Sequence, residues 1–134
     1  MNIEPLIGTV VKKYLPLFDG ERDKAAKDPS YPSLIFHLRP LTEGEAEKYD
    51  EFKTRYDPAT GQVTVDANPT IDAAIFGAHV LKIENLWVGQ KAVKNGADYL
   101  AVRDQLPLRF RGLYREILNA VREISLLNEG EIKN

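Results

Sequence analysis

Residues 106–128, LPLRFRGLYREILNAVREISLLN, decide how this chain folds. At about 100° per residue, Phe110, Leu113, Tyr114, Ile117, Leu118, Ala120, Val121 and Ile124 fall on one broad arc. Arg111, Arg115 and Arg122 lie on one border of that arc, and Glu116 and Glu123 on the other. Pro107 suits a first helical turn, where its missing N–H would be unpaired anyway, and Gly130 stands just past the expected end. About six large apolar side chains, at roughly 1.5–3 kcal/mol each, supply on the order of 10 kcal/mol of burial before entropy is charged. An arc of that weight has to be covered by the rest of the chain or by a partner.

Upstream, Asn68 followed by Pro69 is a helix-start pair, and the segment from there to Ile83 is apolar almost all round. A narrow polar strip of Asp72 and His79, with Lys82 nearby, interrupts it. Such a helix is expected between layers of its own domain or between subunits. A second, thinner helix is expected from about Glu43 to Tyr56. Thr42 and Glu45 form the S/T-x-x-E capping pattern at its start, and Ala46, Tyr49, Phe52 and Tyr56 form its stripe. Glu43, Glu47 and Glu51 recur at four-residue spacing, which a solvated helix face explains without a metal. Ala97 to Arg103 suits a brief helix capped by Asn95 or Asp98.

Leu34, Phe36 and Leu38 alternate with Ile35, His37 and Arg39, so Ser33 to Arg39 reads as a strand. Leu6 to Leu17 is rich in β-branched and apolar residues and is expected as its antiparallel partner. Between them, Asp19 to Pro32 mixes charge, proline and glycine without a period and reads as a surface loop holding at most one helical turn. Asp57 to Gly61 reads as a turn, and Gln62 to Val65 as an edge strand or extended connection. The linker Glu84 to Lys94 carries the only tryptophan, Trp87. The expectation is one α+β domain spanning 1–134. It has a small antiparallel N-terminal sheet, three to four helices and a mostly helical C-terminal half.

Composition narrows function mainly by exclusion. With 43% hydrophobic and 28% charged residues the chain can build a real core, and a formal charge of -2 argues against a surface that grips nucleic acid throughout. There is no cysteine, which removes disulfides, thiolate metal sites and cysteine nucleophiles together. Neither a leader-like N-terminus nor an apolar run long enough to span a bilayer is present, so an unprocessed cytosolic protein without membrane association is expected. His37 and His79 stand alone, without a second ligand at metal-binding spacing, and no glycine-rich phosphate cradle follows a strand. No catalytic, cofactor or metal residues are therefore assigned, and no enzyme activity is expected. Asp72 and His79, seven apart on one helical face, are too distant for a direct bond but open to a partner between them, though a polar strip on a buried helix accounts for them better.

The arginine border of the last helix, with Arg103 and Arg109 nearby, admits two readings. It could contact phosphates along a nucleic acid, or its charges could set register at a bundle or subunit interface. The opposite-sign charges on the far border favour the interface.

Three stretches also resemble the tail assembly chaperones of long-tailed bacteriophages. These are Phe36 to Phe52 (FHLRPLTEGEAEKYDEF), His79 to Gly89 (HVLKIENLWVG), and Leu106 to Asn134, which ends in Ser-x-Leu-x-x-Gly-Glu-x-Lys-Asn. Together they cover about half the chain, and the Asp19 to Pro32 insertion departs from the family's pattern. The resemblance implies a non-enzymatic protein of the bacterial cytoplasm, absent from the mature virion. It would self-associate and shield the aggregation-prone tape measure protein until tail tube subunits replace it. Such families often make a longer frameshifted product, of which a chain ending at Asn134 would be the short form. On this reading the Pro69 to Ile83 and Pro107 to Leu127 helices form the oligomer and client surface, with Phe110, Arg111, Tyr114, Arg115, Ile117, Val121 and Arg122 as its residues. The alternative is a DNA-contacting or other accessory protein of a phage or mobile element, using the Arg111, Arg115 and Arg122 edge.

Overall fold

The computed structural model describes residues 1, 10–49, 54–56, 59–61, 63–65 and 68–127. Strands β1 (Lys12–Tyr14), β2 (Ile35–Leu38) and β5 (Val80–Glu84) form an antiparallel sheet in the order β1-β2-β5. Two short hairpins stand apart from it: β3 (Thr54–Tyr56) with β4 (Val63–Val65), and β6 (Trp87–Val88) with β7 (Lys91–Ala92). Among the described residues there are five α-helices: α1 (Glu21–Lys27), α2 (Glu43–Lys48), α3 (Pro69–His79), α4 (Gly96–Val102) and α5 (Arg111–Ser125). The fold is α+β, with its two longest helices in the C-terminal half. No helix of the described residues is long and apolar enough to cross a membrane.

The alternation in β2 works as its sequence implies: Phe36 and Leu38 are buried while Ile35 and His37 are half-exposed. Phe36 and Leu38 join Val80 and Ile83 of β5, Ile75 and Phe76 of α3, Tyr99 and Val102 of α4, and most of the apolar arc of α5 in one core cluster. Leu113, Ile117, Leu118, Ala120, Val121 and Ile124 are all buried in that cluster. Those six residues of the arc are therefore covered by their own chain, while Phe110 and Tyr114 are only partly buried.

The helix starts follow local hydrogen-bond chemistry. Thr42 and Glu45 form a reciprocal capping box. The Asn68 side chain accepts from the N–H groups of Thr70 and Ile71, and that of Asn95 accepts from Asp98 at 2.8 Å. Pro107 precedes a 3-10 turn, Leu108–Phe110, so α5 proper starts at Arg111.

Several expectations are corrected. The apolar segment from Asn68 to Ile83 is not one helix: it changes to strand at Val80, immediately after His79. A bulge between His37 and Leu38 skips Leu81 in the pairing with β5 and leaves that side chain exposed. Thr54–Tyr56, expected as a helix end, is strand β3. The Asp19 to Pro32 stretch holds α1, more than a single turn, entered through Asp19 and Gly20 at positive φ (56° and 70°). The Glu84 to Lys94 linker contains the β6–β7 hairpin, and the expected first strand is reduced to Lys12–Tyr14, with Leu6 to Thr9 outside the described residues.

Two features fix how the elements meet. Glu116 of α5 accepts from the Tyr14 hydroxyl at 2.5 Å, from Leu17 N–H at 2.7 Å and from Phe18 N–H at 3.0 Å, holding the β1–α1 turn on the helix. Burial, with the Glu116 charge beside it, pushes the Tyr14 phenol up to about 12, so it remains a hydrogen-bond donor. Gly96 lets α4 meet the end of α3, since a Cβ there would strike the Phe76 carbonyl oxygen and lie 3.1 Å from Val80 Cβ. Gly96→Ala should therefore cost about 3 kcal/mol in urea unfolding, and wild-type stability would refute this close approach. Glu116→Ala should cost about 2 kcal/mol, because it strands two backbone donors and a phenol; a change within error would show the turn to be held by other contacts.

Candidate partner-binding cleft

A cleft of about 650 Å³ opens where three helices converge. Pro69 and Asp72 from the start of α3 form one wall. Tyr99 from α4 and Arg103 and Asp104 from the turn after it form a second. Leu106 to Phe110 and the first half of α5, with Arg111, Tyr114, Arg115 and Leu118, close the third. That volume lies within the usual range of ligand-binding clefts.

Its floor is aromatic. Phe76 packs at 4.9 Å from Tyr99 and 4.8 Å from Tyr114, and the two tyrosine rings lie nearly parallel, 9° apart in plane. The Arg103 guanidinium sits over the Tyr114 ring at 5.0 Å. The hydroxyls of Tyr99 and Tyr114 are both buried without a protein hydrogen-bond partner. Burial pushes the Tyr99 phenol up to about 12 and raises that of Tyr114, so both stay protonated.

The residues expected at a partner surface divide into three groups. Phe110, Arg111, Tyr114 and Arg115 line the cleft. Arg122 instead reaches across to α3 and donates to Asp72 at 2.6 Å, which clamps the two helices and removes it from a free basic edge. Ile117 and Val121 are completely buried in the chain's own core, so a partner reaches neither without opening the fold. Tyr99 and Asp72 were not expected here, because the cleft joins three elements far apart in sequence; Arg103 was expected only as a neighbour of the arginine border. The four-residue spacing of Tyr99 and Arg103, which places both on one helix face, was the one local signal.

Asp72 and His79 do not share a partner. His79 is completely buried at the end of α3, where Nδ1–H donates to the Arg39 carbonyl at 2.9 Å. Its Nε2 lies 3.2 Å from Glu45 Oε2, out of line for a hydrogen bond. Glu45 is gripped by both guanidinium nitrogens of Arg39, at 2.9 and 3.0 Å, and accepts from Thr42 N–H at 3.2 Å. His37 meets Glu84 across the sheet at 2.7 Å. Both histidines thus have structural partners, and no group of metal-ligating side chains occurs among the described residues.

The His79 cluster carries a pH signature. Burial, reinforced by the Arg39 charge, holds the imidazole below its usual 6.5, despite the raising effects of the Arg39 carbonyl bond and the Glu45 carboxylate. The Arg39 hydrogen bonds hold Glu45 at about 2, against the usual 4.5. Below pH 6.5 the unfolded chain takes up a proton at His79 that the folded chain resists, so stability falls as pH drops. The Glu45 contribution is complete above 4.5 and is lost toward 2. In His79→Gln, measured by urea unfolding against pH, the loss beginning near 6.5 should disappear while that below 4.5 persists. An unchanged profile would remove His79 from the account.

No protein-family model, curated protein or solved structure matches this chain. The chemistry of the cleft is thus read from its own residues.

Proposed function

We propose that this protein is a non-enzymatic tail assembly chaperone of a long-tailed phage or prophage, acting in the cytoplasm of the bacterial host and shielding the tape measure protein as it waits for the tail tube. The observation that carries this reading is the amphipathic cleft at the head of α5. Its floor is aromatic, its rim carries arginines, and the flanking Leu108 side chain is 72% exposed. A surface of that kind suits an amphipathic helix laid in a groove, with apolar residues as anchors and charges at the edge. The three stretches that resemble the chaperone family include this helix and its Leu-Pro entry.

The client surface is narrower than the whole helix. Ile117 and Val121 belong to the core, so contact falls to Phe110, Arg111, Tyr114 and Arg115, with Arg103 and Leu108 beside them. Self-association between copies uses surfaces outside the core, for which the exposed Trp87 and Leu81 are available.

Co-expression with the tape measure protein encoded beside this chain, followed by size exclusion with light scattering, tests the reading. The expected result is a soluble complex from a client that is insoluble alone. An insoluble client beside a monomeric chain would overturn it.

A further inference from the structure

The polar groups of the cleft are almost all donors. Arg103, Arg111 and Arg115 contribute guanidinium groups, and Tyr99 and Tyr114 contribute hydroxyls. Of the two carboxylates in the walls, Asp72 is already neutralised by Arg122 at 2.6 Å, and Asp104 is exposed. Among the described residues, Arg111 and Arg115 have no ion-pair partner and are exposed, one helical turn apart on the same face of α5. The result is a locally positive, donor-rich cleft in a chain whose formal net charge is -2.

Tyr99 adds an independent observation. Its side chain is 1% exposed, it lines the cleft, and its hydroxyl has no acceptor in the protein. A buried hydroxyl without an acceptor costs about 1–3 kcal/mol, and a phenylalanine would occupy the same space without that cost. Guanidinium forks and a stranded phenolic donor match one chemistry, an acceptor-only anion.

We propose that the cleft seats a carboxylate of the client, an aspartate or glutamate side chain projecting from an apolar helical segment, with Arg111 and Arg115 as its fork and the Tyr99 hydroxyl beneath. The inference rests on the chaperone reading and names the chemistry of its client. Leu106, Phe110 and Leu118 give the walls an apolar lining that suits the flanks of such a segment. A phosphodiester backbone fits less well, because it brings successive charges past Asp104 and offers nothing apolar to Leu108.

Short overlapping peptides tiling the tape measure protein, labelled and titrated with the full-length chain by fluorescence anisotropy, provide the test. The tightest binders should be apolar segments containing aspartate or glutamate. Changing that acid to its amide should weaken them about tenfold, the loss of one charge-assisted contact. Arg111→Gln combined with Arg115→Gln should weaken the acidic peptide about tenfold and abolish the difference between acid and amide. Tyr99→Phe should weaken it about threefold while unfolding at the same or higher urea concentration, which separates binding from folding. Peptides that bind equally as acids and amides would overturn the carboxylate and leave the chaperone standing. If no peptide binds and no client co-purifies, both fall. A labelled DNA duplex bound through the same two arginines, with steep salt dependence, would replace the carboxylate with a phosphate site.

Discussion

Residues 39 and 79 hold each other in both directions, and the rest of the fold is arranged around that clasp. The Arg39 N–H donates to the His79 carbonyl at 2.9 Å, and His79 Nδ1–H donates back to the Arg39 carbonyl at 2.9 Å. His79 is the last residue of α3 and Val80 the first of β5, so the clasp sits where helix becomes strand without a loop. It satisfies buried backbone groups that this abrupt change would otherwise strand. It also sets the β2–β5 register and places Glu45 beside His79, which ties α2 to the same point. The outgoing direction of α3 then determines where Asp72 lies, and with it one wall of the cleft, and where Phe76 packs against the two tyrosines that line it.

The last helix distributes its charges according to a division of labour. Glu116 on one border anchors the β1–α1 turn, and Arg122 on the other clamps α3 through Asp72. Both are partly buried in use, where charge-assisted bonds outweigh the small value of an exposed ion pair. Arg109 lies outside that pattern, stacked on Phe18 and Phe110 at 5.7 and 4.6 Å and paired loosely with Asp19. Among the described residues, the cations that remain uncommitted on the helix are Arg111 and Arg115, at its N-terminal end. Cations there oppose the positive end of the helix dipole and gain nothing from it. Their position is better explained by what they face than by helix stability.

Much of this could be read from the residues alone, but only where one local signal was decisive. The capping box at Thr42, the caps at Asn68 and Asn95, the alternation in β2 and the arc of α5 each rest on neighbours a few residues apart, and each is present. Val80 to Ile83 deceived because a segment apolar on all sides satisfies a helical and a strand period equally, leaving periodicity nothing to decide. The clue was β-branching at Val80 and Ile83 beside Glu84-Asn85; Asn85 adopts φ 64°, a conformation asparagine tolerates. Thr54–Tyr56 turned to strand because pairing with Val63–Val65 overrode the helical stripe. The cleft was half legible: Phe110, Arg111, Tyr114 and Arg115 stood out on one helix, whereas Tyr99 and Asp72 join them only through tertiary packing.

The division between core and surface on α5 constrains what kind of binding is physically open to this protein. Had the whole apolar arc been exposed, association would have been driven by area alone, with little discrimination among apolar partners. Here the heavy part of the arc, from Leu113 to Ile124, is spent on the fold. The remaining contact area is small, and its polar groups are donors with unfilled capacity. Small apolar area gives modest affinity, while buried donors that go unpaired penalise any partner lacking an acceptor. Such a surface combines weak binding with chemical selectivity. A deeper apolar groove would bind more tightly and discriminate less among apolar partners.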